Sequence, residues 1–271
     1  MLLVNNEIVE YCEGLTVAEV GKRTKPDADI FIVNGYPVAA SFVLGDGDQC
    51  WLVKRGESVS ADEMRNLLYA RHTPGVQARL QDAVVGIMGL GGLGSTVALA
   101  LARMGIGSLI LADFDLVEPS NLNRQQYFVD QIGLKKTEAL KDNIGRINPY
   151  VRVEIIDQRL TEDLIPALFA DVDALVECFD DPVMKAAALR ARLQHLEGVF
   201  YVCASGMAGY GSNNEIKTRR LYPGVFLVGD QESAAEPGQG LMAARVGIAA
   251  HHQANQVVRL LLGEDTENKQ Q

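Results

Sequence analysis

The chain has 271 residues, 48% of them apolar, which is enough for one substantial core plus a small appendage. Its net charge of −10 argues against nonspecific nucleic-acid binding, which depends on basic patches. No run of about 18 apolar residues occurs, and Met1-Leu2-Leu3-Val4-Asn5-Asn6-Glu7 lacks the basic start and long apolar core of a signal peptide; a cytoplasmic protein without membrane association is expected.

The first segment reads as a module of its own. Leu2-Leu3-Val4, a turn at Asn5-Asn6 and Ile8 to Tyr11 make a hairpin, and Thr16 caps a short helix to Arg23. Strands come next at Ile30 to Val33 and Gln49 to Lys54, with turns at Asn34-Gly35 and Gly45 to Asp48. A ββαββ order of this size fits a β-grasp fold, assigned to residues 1–57. Residues 58–72 form a helical linker, in which Ser60 and Glu63 have the spacing of a capping box. The main domain is expected over 73–265.

That domain opens on Val84-Val85-Gly86-Ile87-Met88, an apolar strand that breaks into Gly89-Leu90-Gly91-Gly92-Leu93-Gly94-Ser95 and then a helix to about Arg103. Gly89, Gly91, Gly92 and Gly94 leave no Cβ in the way, so backbone N–H groups at the helix start can approach a phosphate, where the helix dipole favours negative charge. Such a turn calls for an acid about 20 residues on to hold a ribose. The strand Ser108 to Asp113 ends in one, completing a βαβ unit of a Rossmann-like α/β domain.

The stretch after Asp113 does not suit a hydride-transfer enzyme. Asp113 to Gln126 carries Asp115, Asn121 and Arg124, and Gly133-Leu134-Lys135-Lys136 precedes the next helix. Arg and Lys neutralise phosphate oxygens, and carboxylates hold a divalent cation against them. Taken singly, Asp113 reads as a strand-end acid, Asp115 as a surface charge, and Asp181 with Lys185 as an i,i+4 surface pair.

A fourth strand, Asp173 to Phe179, leads into Asp180-Asp181, and an apolar run spans Val199 to Ala204. Residues 207–211 and 224–240 are rich in glycine and small polar residues and read as mobile loops; Arg245 to Leu262 closes the domain as a helix, and 266–271 is a disordered tail. The four cysteines, Cys12, Cys50, Cys178 and Cys203, are scattered singly, so zinc and disulfides are not expected, and Cys203 in its apolar run reads as a small core residue.

GLGGLGS, DFDLVEPSNLNRQQ, GLKK, INP at Ile147 to Pro149 and ECFDD at Glu177 to Asp181 resemble the adenylating family of ThiF, MoeB and HesA, relatives of the ubiquitin-activating enzymes, in order and spacing over roughly Ala70 to Gly263. ARHTPGV at Ala70 to Val76, ASGMAGYG at Ala204 to Gly211 and PGQGLMAARVGIAAHHQAN at Pro237 to Asn255 resemble its ThiS-adenylating branch. Gly14 to Glu19, Val33-Asn34-Gly35 and Leu44 to Asp48 resemble the ThiS sulfur carrier itself, yet no free Gly-Gly ends this module, since Lys54-Arg55-Gly56-Glu57 runs on.

The resemblance implies an ATP-dependent adenylyltransferase that activates the C-terminal carboxylate of a ThiS-like sulfur carrier, releasing pyrophosphate, in thiamine thiazole synthesis. It implies that Asp113 holds the ribose, that Asn121, Arg124 and Lys136 meet the phosphates with Asp115 in the same site, and that Asp180 positions Mg2+. An arginine before the first strand of the nucleotide domain, Arg71 or alternatively Arg79, would reach the partner subunit's ATP, which implies a homodimer. Adenylation of another carboxylate or an RNA-borne one, a nucleotide-binding regulatory role, and an NAD-dependent oxidoreductase are the competing readings.

Overall fold

Residues 1–57, 60, 61, 63, 64, 67, 68, 72 and 75–264 are described by the computed structural model. The chain forms two units, 1–78 and 79–271. In the first, β1 (Leu2–Val4), β2 (Glu7–Val9), β3 (Ile30–Val33), β4 (Tyr36–Pro37) and β5 (Gln49–Val53) form a sheet in the order β2-β1-β5-β3-β4, with β1 and β5 parallel. The helix α1 (Val17–Thr24) starts at the expected cap Thr16, which with Glu19 forms a capping box: Thr16 Oγ1 accepts from Glu19 N at 3.3 Å and Glu19 Oε2 accepts from Thr16 N at 2.8 Å. Leu2, Val4, Val17, Val20, Val33, Cys50 and Leu52 make its core. The two-residue strand β4 is an addition to the ββαββ pattern expected.

Strand alternation sends Trp51 to the sheet face opposite Cys50 and Leu52. It is only 4% exposed, its indole Nε1 has no hydrogen-bond partner among the described residues, and it lines a small cavity with Glu63 and Leu67. The Ser60–Glu63 capping box is present there, with Ser60 N donating to Glu63 Oε2 at 2.8 Å and Glu63 N to Ser60 Oγ at 3.2 Å. These residues belong to the first unit, so the division at Ala78 falls later than the 57/58 and 72/73 boundaries read from the sequence. The short helix α2 (Val76–Leu80) straddles that division. Arg71, part of the linker and the tail 266–271 lie outside the described residues.

The second unit is an α/β layer structure. Its strands are β6 (Val84–Met88), β7 (Ser108–Ala112), β8 (Arg152–Ile156), β9 (Ala174–Glu177), β10 (Phe200–Ala204), β11 (Lys217–Tyr222) and β12 (Val225–Gly229). They lie in the order β11-β12-β10-β9-β6-β7-β8, parallel throughout except for the edge strand β11, which is antiparallel to β12. The helices are α3 (Gly92–Arg103), α4 (Lys136–Ile147), α5 (Leu164–Leu168), α6 (Pro182–His195) and α7 (Ala243–Leu261). The strand order reverses between β6 and β9, and in open sheets of this kind ligands bind beyond the carboxyl ends at that point.

The expectation of a mobile loop over 224–240 is corrected at its start. Val225 to Gly229 is a core strand, with Val225, Phe226 and Val228 buried beside β10. The glycines flanking this short apolar run gave it the look of a loop. Strand β6 is apolar on both faces because helices cover both sides of the sheet, as parallel sheets require. Gly86 within it makes room for its neighbours: a Cβ there would sit 2.6 Å from the Phe169 ring and 2.8 Å from Leu175 Cδ1.

Gly86→Ala should therefore cost about 1–3 kcal/mol through overpacking. The same substitution should cost clearly less in a Phe169→Ala background, where the space is free. Urea unfolding of the two single variants and the double variant measures that coupling. Equal costs in both backgrounds would mean that Phe169 does not set the limit.

Candidate active site at the carboxyl edge of the sheet

The glycine turn after β6 exists because its backbone closes on itself. Gly89 adopts φ +84°, and a Cβ on Gly94 would lie 1.9 Å from the Gly89 carbonyl oxygen. Helix α3 thus begins one tight turn from the strand end, with Gly91 as an N-cap that makes no side-chain cap bond. Its first N–H groups are those a helix leaves unpaired for an anion. A Cβ on Gly91 would meet only Gln125 Nε2, at 3.8 Å, which leaves the turn open, whereas Gly92 is packed against Val246 and Arg124. Of the four glycines expected at phosphate, Gly91 is the one with open space; Gly89, Gly92 and Gly94 serve close packing of the turn.

Asp113 comes directly after β7 and is nearly buried. Its Oδ2 accepts from Leu90 N at 2.6 Å and its Oδ1 from Asp115 N at 2.8 Å, so this carboxylate pins the glycine turn and orients the next loop. Lys136, at the first position of α4, extends a buried side chain to Asp115 Oδ2 at 2.8 Å. Asp115 is thus more than a surface charge: it holds the ammonium of Lys136 in place. Asn121 is buried and structural, its Oδ1 accepting from Glu118 N at 3.1 Å, while half-buried Arg124 donates to Asn123 Oδ1 at 2.8 Å and Ser120 O at 3.3 Å.

Residues that the sequence pattern did not single out hold this loop. Ser95 Oγ accepts from Gln126 N at 3.1 Å, and Tyr127 donates its hydroxyl proton to Leu90 O at 2.8 Å. Burial pushes the Tyr127 phenol up, and the nearby Asp113 and Asp115 add to this, so it stays a donor. A Tyr just after an Arg-containing loop was the only sequence signal for it.

On the other side of the switch point, Asp180 is exposed in the turn between β9 and α6. Among the described residues no group of three His, Cys, Asp or Glu side chains gathers to hold a metal. The surface pair Asp181–Lys185 is not formed. Asp181 instead caps α6, accepting from Val183 N at 2.9 Å. Lys185 reaches inward to the buried Glu177, with Nζ 2.9 Å from Oε1, and donates to Ala204 O at 2.8 Å. Glu177 Oε1 also accepts from Phe179 N at 2.7 Å, and Gln253 Nε2 donates to the Glu177 carbonyl at 3.0 Å. A buried carboxylate across the turn outcompetes an exposed one because its desolvation must be compensated. Together these bonds fix the turn that carries Asp180.

Beyond β10 and β12 the same edge opens into a cavity of about 700 Å³, lined among others by Tyr210, Lys217, Arg219, Met242 and Arg245. Arg245 is 4% exposed and is held by Asp230 Oδ2 at 2.6 Å and Ser212 O at 2.9 Å, while its Nε has no partner among the described residues. Burial pushes Asp230 up, but hydrogen bonds from Ser233, from the Glu232 amide and from Arg245 outweigh it and hold the carboxyl well below its usual range. Leu241 O accepts from Asn123 Nδ2 at 3.3 Å, which ties the cavity rim to the Arg124 loop.

A family model described as "ThiF family" matches residues 64–271, and one described as "ThiS-like ubiquitin" matches residues 1–56. The chain belongs to the ThiF family, and with it to the adenylyltransferases. The sulfur carrier protein ThiS adenylyltransferase of Escherichia coli is 30% identical over 195 residues, 70% of this chain and 76% of that protein. The molybdopterin-synthase adenylyltransferase of Salmonella typhimurium is 29% identical over 190 residues, 68% and 75% of the two chains. Among solved structures, the E. coli tRNA N6-threonylcarbamoyladenosine dehydratase TcdA in complex with ATP has a TM-score of 0.69 at 22% identity, covering 77% of this chain and 98% of that one, a likeness of fold. E. coli MccB with succinimide has a TM-score of 0.57 at 27% identity, covering 76% and 64%.

In this ThiF-family chain, Lys185→Met leaves Glu177 buried without its cation, a change of about 3–5 kcal/mol unless the carboxyl takes up a proton. Burial already pushes Glu177 above its ordinary value of 4.5. The variant's folded state therefore keeps the proton where the unfolded chain has lost it, and its stability falls as pH rises from about 4.5. Melting curves at pH 5 and pH 8 should show a larger deficit against wild type at pH 8; an equal deficit would rule this account out. Burial also pushes the Cys203 thiol up to about 12 and Cys50 to about 11, and raises Cys178 well above its usual value. The thiolate is the reactive form. Iodoacetamide at pH 8 should accordingly label the exposed Cys12 alone in the native protein and all four cysteines after denaturation, counted by mass spectrometry.

Proposed function

We propose that this chain uses ATP to adenylate the C-terminal carboxylate of a ThiS-type β-grasp sulfur carrier, releasing pyrophosphate, and that it serves thiamine thiazole synthesis. The observation that carries this reading is the meeting, at one sheet edge, of an open glycine helix start, Asp113, the Asp115-held Lys136 and a 700 Å³ cavity leading away from them. The kinship to a ThiS adenylyltransferase and the ThiS-like first unit support the choice of carrier.

In the proposed reaction a carboxylate oxygen of the carrier attacks the α-phosphorus, and the bond from that phosphorus to the α,β-bridging oxygen breaks. No general base is needed, since a carboxylate is ionised at pH 7. Catalysis is then positioning and neutralisation of charge on the departing pyrophosphate. Asp113 accepts from the ribose hydroxyls. Arg124 faces the phosphates from the loop that Asn121 and Tyr127 keep in shape, and Lys136 faces them from the start of α4. Asp180 fits magnesium only as a cation shared with the triphosphate, the usual arrangement of one or two carboxylates plus phosphates and waters. Such a cation supplies charge neutralisation at the phosphate oxygens. The cavity beyond β10 and β12 receives the carrier's extended tail.

Arg79 donates through Nη1 to the Leu262 carbonyl at the end of α7, which anchors it within its own unit. With Arg79 so engaged, Arg71 is the arginine proposed to act across a homodimer. The test is carrier-dependent exchange of labelled pyrophosphate into ATP, with ThiS-type and molybdopterin-type carriers each supplied with and without the terminal Gly-Gly. Exchange is expected with the intact ThiS-type protein alone, reduced by about 100-fold in Asp180→Asn. Tight ATP binding without exchange on any carrier would overturn the reading, and exchange with the molybdopterin-type carrier would move the enzyme to a different pathway.

A further inference from the structure

The loop after β10 runs Ser205-Gly206-Met207-Ala208-Gly209-Tyr210-Gly211-Ser212, with one large ring set between two glycines. Tyr210 is 89% exposed, the most exposed large apolar side chain among the described residues. A single exposed ring is common on a protein surface and by itself marks nothing. Here a second exposed apolar side chain, Met242, directly before α7, lines the same cavity of about 700 Å³. Gly209 N donates to Gly240 O at 2.9 Å, which joins the two segments that carry them, and the next carbonyl, Leu241 O, accepts from Asn123 Nδ2. Both side chains therefore stand at the cavity rim next to the Arg124 loop.

The loop that presents the ring is tightly held. A Cβ on Gly206 would lie 2.0 Å from Asp230 Oδ1, and the Gly206 carbonyl accepts from Asp230 N at 3.0 Å. Ala208 N donates to Ser233 Oγ at 3.0 Å. Arg245 closes the other side: its guanidinium binds both Asp230 Oδ2 and Ser212 O, so one buried cation spans the loop on either side of Tyr210. A ring with two side-chain torsions on a fixed loop loses little freedom when a partner covers it.

We propose that Tyr210 and Met242 form an apolar clamp that selects the carrier by the side chain just before its terminal Gly-Gly, with the Arg245–Asp230 pair positioning the ring. This rests on the carrier-adenylating reading above and names what that site requires of its substrate. The rim beside the Arg124 loop is the part of the cavity nearest the phosphates, so the residues that pass it are those close to the tail's end. The last two have no side chain, and the first one available to the clamp is the one before them. A large aliphatic group there leaves water between a ring and a thioether, and the flexible methionine adapts to its shape.

The test is pyrophosphate exchange by the full chain on two versions of a ThiS-type carrier, with leucine or alanine before the Gly-Gly, alongside titration with magnesium ATP alone. Tyr210→Ala should raise the KM for the leucine carrier by about tenfold and leave the Kd of ATP unchanged. With the alanine carrier the wild-type KM is already raised, and Tyr210→Ala should add little, as expected of two groups that touch each other. Tyr210→Phe should behave as wild type, because the ring and not the hydroxyl makes the contact. Arg245→Met, which frees the loop, should raise the same KM without changing the Kd of ATP, with Arg245→Lys between it and wild type. Tyr210 is exposed, so its variants should melt with the wild type. An unchanged carrier KM in Tyr210→Ala would overturn the clamp. So would an equal rise with both carriers, which would set the ring against another part of the carrier. No exchange by the wild type on either carrier despite bound ATP would remove the carrier-adenylating reading and the clamp with it.

Discussion

The second unit depends on an approach that only glycine allows: the Cα of Gly94 stands so near the Gly89 carbonyl that a methyl group would overlap it. Everything at the carboxyl edge is measured from that contact. It sets where α3 begins, hence where the unpaired N–H groups point, and it brings Val246 of α7 against Gly92. Asp113 then locks the turn through Leu90 N. In the proposed function the residue that would hold the ribose is thereby also the one that holds the glycine turn in shape, so the two proposed subsites cannot drift apart independently.

Charge is handled locally. A chain with a net charge of −10 gathers Arg124, Lys136, Arg159, Lys217, Arg219 and Arg245 along one edge of one sheet. Two of these cations are pre-set by carboxylates, Lys136 by Asp115 and Arg245 by Asp230. Side chains already oriented when a polyanion arrives need no reorganisation as charge moves, which is where electrostatic stabilisation gains most.

Sequence legibility depends on which forces are local. The glycine turn, Asp113 directly after β7, the cap at Thr16 and the capping box at Ser60 depend on residues a few positions apart, and each is found where its pattern put it. The strand β12 was hidden because a short apolar run between glycines carries no period long enough to tell a core strand from a loop. Lys185 was read toward Asp181 by helical spacing, whereas its partner Glu177 is selected by burial, a quantity that the sequence does not display. The tie from Tyr127 to Leu90 joins residues 37 apart, and nothing in the intervening chain foretells it. Gly89, Gly92 and Gly94 were grouped with Gly91 by motif, although only the folded backbone separates the packing glycines from the open one.

Trp51 is the single tryptophan of the chain, and it lies beside Glu63 and Leu67 on the outer face of the first unit's sheet. Its indole is buried, so its emission is that of a shielded ring and shifts to the red when water reaches it. Tryptophan fluorescence of the intact protein is therefore an optical channel for the β-grasp unit alone, while the far-ultraviolet signal is dominated by the helices of the larger unit. One unlabelled sample thus carries two separate clocks, one for each half of the molecule.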